Sequence, residues 1–119
     1  MVWNKSQRQL KHLPTDVYRV YDQEGRLLYV GASVNVFTRL REHRLYAEWW
    51  PLAFEGTVTR YENRAMARSV EAHAIRNEGP LYNTTDERAE AIKRITITDP
   101  IEVIDLWWDE GKVWVDASD

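Results

Sequence analysis

The sequence has no cysteine, which excludes disulfides and thiolate metal sites. Its three histidines are too few for an ordinary structural zinc site. No apolar run approaches the roughly 20 residues that span a bilayer, and Met1 does not open a leader pattern. A soluble, cytoplasmic protein that does not engage membranes is expected. Internal repeats and low-complexity stretches are also missing. So is an excess of base: the formal net charge is -3, which taken alone argues against a polyanionic partner.

What is present narrows the reading. A chain of 119 residues with 44% hydrophobic content can bury one real core, so one domain is expected. The charge is unevenly spread. The first 98 residues sum to +3 and residues 99–119 to -6, the latter from seven acids against one lysine. The body is mildly basic and the acid belongs to the tail. We therefore expect an N-terminal arm at 1–14, a domain at 15–98, and an acidic β extension at 99–119 packed on that domain.

Residues 17–21 alternate among β-branched and aromatic types, which suits a strand. Residues 22–26 read as a turn with Gly25 supplying a positive φ, and 27–30 as the returning strand of a hairpin. Ser33 or Asn35 can cap a helix that runs to about Tyr46, with Val36, Phe37 and Leu40 as its apolar face. Residues 56–59 give a third strand. Asn63 can cap a second long helix, which carries Met66, Ala67, Val70 and Ala74 at helical spacing and ends at Gly79-Pro80. A short helix at 86–94 and a hairpin around Asp109-Glu110-Gly111 complete the pattern. The expected fold class is α/β, an α+β sandwich. It has a small, three-stranded, mainly antiparallel sheet flanked by helices, with a C-terminal β-hairpin extension.

Specific residues fall on these elements in a telling order. Asp16-Val17-Tyr18 lies on the first strand and Tyr29-Val30-Gly31 on the second. Arg39 stands eight residues past Gly31 and His43 one helical turn later. Glu71 is on the second long helix, and Leu81-Tyr82-Asn83 follows it. In this order and spacing the set resembles the GIY-YIG nucleases, over residues 16–83. The resemblance implies a metal-dependent endonuclease that hydrolyses DNA phosphodiester bonds. Its catalytic residues would be Tyr18, Tyr29, Arg39, His43 and Glu71, with Glu71 as the metal ligand. Gly31, Ser33, Arg41 and Asn83 would bind substrate or order the site. The implied cofactor is a divalent cation, magnesium with manganese able to substitute. The implied partner is DNA, with a homodimer or a second protein supplying recognition, since one active site cuts one strand. One departure stands out. Asp16 replaces the leading glycine, which touches strand geometry and sets a carboxylate near the site, where it can alter metal binding.

The residue types suit that chemistry. Phosphodiester hydrolysis needs an activated water, charge neutralisation on the phosphate and help for the leaving oxygen. A carboxylate can hold a hard cation whose shell is completed by water and phosphate oxygens. An arginine offers a fixed fork of donors to a phosphate oxygen. Arg39 and His43 are four apart and share a helix face. A phenol, with an unperturbed pKa near 10, is a poor base unless its anion is stabilised. The resemblance implies Tyr18 as general base, with Tyr29 positioning water or phosphate and His43 orienting or relaying a proton. The two tyrosine roles can be exchanged. Asn83 would order the loop beside the site.

Taken singly, each residue also has a plainer explanation. A tyrosine on a strand, a solvated arginine on a helix or a structural histidine needs no function. Glu71 is more telling, because its helical neighbours Ala67, Ala74 and Ile75 are apolar and a carboxylate there wants a partner. The tryptophans at 49, 50, 107, 108 and 114 read as packing. Adjacent Trp107 and Trp108 on a strand would face opposite sides, leaving one exposed or at an interface. Two other readings stay open. One is a non-catalytic nucleic-acid-binding module. The other is an interaction protein whose acidic tail binds a partner or mimics DNA.

Overall fold

A computed structural model of the protein describes residues 13–83, 100–109 and 112–115. The expected helix at 86–94 and all but the last two residues of the expected arm at 1–14 lie outside the described residues. Strand β1 (Thr15–Tyr21) and strand β2 (Leu27–Ser33) form the expected hairpin. Asp22 organises its turn: one carboxylate oxygen accepts the backbone N–H groups of Glu24 (3.0 Å) and Arg26 (2.8 Å). The other carboxylate oxygen accepts Nε of Arg26, and Gly25 supplies φ 81°.

Helix α1 (Val36–Tyr46) follows, capped by Asn35, whose side-chain oxygen accepts the N–H of Thr38. Ser33 is not the cap; its hydroxyl accepts the Asn35 N–H and so holds the capping residue. The buried residues of α1 are Val36, Leu40 and His43, at the i, i+4, i+7 positions of one face. Phe37, expected on that face, is rotated about 100° from Val36 and is half exposed. A 3-10 turn (Trp50–Leu52) leads into β3 (Glu55–Tyr61). Helix α2 (Arg64–Glu78) is capped by Asn63, which accepts the Met66 N–H at 2.9 Å, and ends on Gly79 at φ 63°.

Strands β4 (Glu102–Asp109) and β5 (Lys112–Val115) form the expected C-terminal hairpin, but it is not a separate extension. β4 pairs with β3 from Glu55↔Trp107 to Arg60↔Glu102, so one antiparallel sheet of five strands results, ordered β2-β1-β3-β4-β5. The expected three-stranded sheet is thus corrected. Left uncovered, β3 would expose a row of unpaired N–H and C=O groups, and β4 satisfies them. Trp107 is 45% exposed, as the alternation of a strand allows.

Two apolar clusters lie on opposite faces of this α+β sheet. Val36 and Leu40 of α1, with Trp49 and Trp50, pack on Tyr18, Val20, Leu28, Val58 and Leu106. Ala67 and Ala74 of α2 pack on Val17, Val30 and Tyr61. Among the described residues no helix is long and apolar enough to cross a membrane.

Candidate active site

Tyr18 sits in the middle of β1, between β2 and β3, and is 0% exposed. Its strand partner in β2 is Gly31. A Cβ built on Gly31 would overlap the Tyr18 ring and hydroxyl, so this glycine is required for space. The vacated volume lets the phenol cross β2 and meet α1. There its hydroxyl lies 2.7 Å from Nε2 of His43.

Tyr29 reaches the same place through an irregularity. Pairing of β1 with β2 shifts between Val20 and Tyr21, and Leu28 is skipped. This bulge lets Leu28 enter the α1-side core while Tyr29 packs against the same cluster. The Tyr29 ring is 6.1 Å from that of Tyr18 and meets His43 edge-on at 4.9 Å. Trp49 stacks on Tyr29 at 5.1 Å and lies 4.9 Å from His43, forming a wall of the site. The sequence alone suggests only packing for Trp49. The separation of 25 positions between Tyr18 and His43 offers no local signal for this arrangement.

Arg39 and Glu71 complete the group electrostatically. Burial pushes the Tyr18 phenol well above its ordinary value, and the neighbouring Tyr29 and Glu71 raise it further, against the pull of Arg39. Tyr29 is raised by burial and by Glu71, while the charge and hydrogen bonding of Arg39 and a hydrogen bond with Tyr18 favour its anion. Burial and then the Arg39 charge lower His43 to about 4, so its imidazole is neutral at neutral pH. With both groups neutral, either the phenol donates to Nε2 or an Nε2–H donates to the phenol oxygen, according to tautomer.

The five expected catalytic residues therefore converge from β1, β2, α1 and α2. Arg39 also pairs with Glu42, one turn along α1, with both side chains about half exposed. Such a pair contributes at most about 1 kcal/mol and exchanges readily for a better anion. The i, i+3 spacing of this pair was readable in the sequence, but its bearing on the site was not.

The remaining expected residues divide. Asn83 accepts the Val30 N–H and donates to the Val30 carbonyl, both at 2.8 Å. With the Leu81 and Tyr82 N–H groups bonded to Leu27 and Leu28 carbonyls, it covers the outer edge of β2 and fixes the strand that carries Tyr29. Ser33 acts through the α1 cap. Arg41 is exposed and about 200° around α1 from Arg39, so the helix directs it away from the phenols. Asp16 does not aim at the site. It is buried and held by the Arg60 guanidinium at 2.8 and 3.2 Å, and Arg60 also bonds Glu102 of β4.

As a cation holder the site offers Glu71, half-buried and near both phenols. No three His, Asp or Glu side chains cluster among the described residues. A single carboxylate suits a hard cation that takes its other ligands from water and phosphate, as magnesium does. Compared with family models, curated proteins and solved structures, the chain matches none of them.

Proposed function

We propose that this chain is a metal-dependent endonuclease of the GIY-YIG type, hydrolysing DNA phosphodiester bonds at the Tyr18–Tyr29–Arg39–His43–Glu71 cluster. The observation that carries this reading is the buried Tyr18–His43 hydrogen bond, flanked by a guanidinium and a carboxylate from two different helices. Packing alone has no use for that arrangement, because burying a phenol and an imidazole costs more than burying two apolar rings.

Hydrolysis adds a water oxygen to phosphorus and breaks the bond to the leaving 3′ oxygen. Tyr18 is wholly buried, whereas Tyr29 is only partly so, and Tyr29 is thus the phenol that meets the water. As Tyr29 takes a proton from the water, its own passes to Tyr18 and that of Tyr18 to Nε2 of His43. The raised pKa values of both phenols favour such a relay over a standing phenolate. The depressed pKa of His43 keeps its lone pair free to receive the proton. His43 releases the received proton to solvent, and solvent supplies one to the leaving oxygen, so the proton count balances and His43 returns to its neutral form. Arg39 exchanges Glu42 for a phosphate oxygen and remains charged throughout. Glu71 would hold the divalent cation, which when bound neutralises charge on the phosphate and at the leaving oxygen.

The test is incubation with supercoiled plasmid in magnesium or manganese, beside Glu71→Ala of equal fold. Nicked circles should precede linear product, since one site cuts one strand. The variant should be slower by roughly 10²–10³-fold or more. If the parent protein cuts neither plasmid nor branched nor single-stranded DNA with either metal, the reading fails.

A further inference from the structure

The described arginines fall into two groups. Arg19, Arg26, Arg39 and Arg60 each bond a carboxylate. Arg64, Arg68 and Arg76 on α2, and Arg41 and Arg44 on α1, have no hydrogen bond or ion pair with any described residue. Within the second group, position on the helix separates them. Arg64, Arg68 and Glu71 stand at i, i+4 and i+7, one stripe of α2 leading from Glu71 toward the helix start. Arg76 is five residues past Glu71, about 140° round the helix and exposed.

Arg68 is the unusual member. It is partly buried, yet all of its guanidinium donors lack a described partner. With five donors and no described partner, its guanidinium is available to an anion. The nearest acid on its stripe is Glu71, the carboxylate to which the cation is assigned above. Asp16 and Glu102 are taken by Arg60.

We infer that Arg64 and Arg68 form a track for the DNA backbone, seating successive phosphates of the cut strand on the α2 side of the active site. The inference rests on the nuclease reading for the direction of the strand. Two guanidinium groups one helical turn apart, in line with the catalytic carboxylate, fit a chain of phosphates better than an isolated anion. The track also resolves the contradiction posed by a net charge of -3: DNA is held by a stripe, whatever the sign of the whole chain.

Binding of a short fluorescein-labelled DNA duplex by the full chain, made inactive as Glu71→Gln, tests this by anisotropy across a salt series. Arg64→Gln/Arg68→Gln should flatten the dependence of log affinity on log salt by about two contacts, and Arg64→Gln alone by about one. Arg64 is exposed, so the single variant reads the effect without risk to the fold. Arg68→Lys keeps the charge and should keep the slope. Arg76→Gln should leave the slope as it was. An unchanged slope in the double variant, or an equal loss in Arg76→Gln, overturns the track while the nuclease reading stands. Loss of slope as expected in a protein whose active form does not cleave keeps the track and removes the nuclease. No binding by the parent overturns both.

Discussion

On one face of the sheet α2 lays Ala67 and Ala74 over Val17 and Val30; on the other, α1 lays His43 over Tyr18. The first face is assembled mainly from small and branched apolar groups with the Tyr61 ring among them, and their burial stabilises it at about 25 cal/mol per Å². The second buries a phenol and an imidazole, which lose their hydration and regain one mutual hydrogen bond. The net return of such a bond is about 1 kcal/mol, whereas leaving either partner alone costs about 1–3 kcal/mol. Both faces bury an apolar cluster that holds the fold together, and the α1 face also fixes a phenol and an imidazole in one geometry.

Substitutions on each face separate the two roles. Tyr18→Phe should lower plasmid cleavage by roughly 10²-fold or more while costing about 1–3 kcal/mol in urea unfolding. Ala74→Leu on the other face should act mainly on stability. Overpacking a site that is 0% exposed costs about 1–3 kcal/mol, and the cleavage rate per folded molecule should fall far less than in Tyr18→Phe, the residual fall reporting movement of Glu71 on the same helix. A large stability loss in Tyr18→Phe with unaltered cleavage would collapse the distinction.

Acid should act on the α1 face through His43. His43 is neutral in the folded chain down to about pH 4, while unfolded it takes a proton below about pH 6.5. In that window the unfolded state binds more protons, so stability rises with pH and is lost as pH falls from 6.5 toward 4. The pKa gap corresponds to about 3 kcal/mol in all. His43→Leu should flatten the unfolding free energy across this window relative to the parent. Equal slopes in parent and variant would mean that His43 is not held neutral.

A further substitution probes the space between the strands. Gly31→Ala should cost about 1–3 kcal/mol, because the new methyl displaces the Tyr18 ring. Cleavage should fall with it as the Tyr18–His43 contact opens. Parent-like stability and cleavage would show that the phenol does not depend on that gap.

Much of the fold was readable locally. The Asp22–Arg26 turn, the Asn63 cap and the Gly79 stop each use side chains within a few residues of the backbone groups they satisfy. The shared face of Arg39 and His43 followed from helical periodicity alone, and the same periodicity, applied to Phe37, would have placed it off the buried face. Other features depended on distant partners. The capture of Asp16 by Arg60 joins positions 44 residues apart, and the Tyr29–Trp49 stack depends on where α1 ends.

The order of elements, the caps and turns, and the residue types capable of phosphate chemistry were determined by the sequence itself, because each rests on interactions within one or two turns of chain. Tertiary structure decided that the C-terminal hairpin joins the main sheet, that a skipped Leu28 keeps Tyr29 beside Tyr18, and that Gly31 yields its volume to a phenol. It also decided which phenol is sealed and which meets solvent. These outcomes follow from close packing between segments far apart in the chain, where a strand edge, a missing methyl or a bulge acquires its effect only when the facing element arrives.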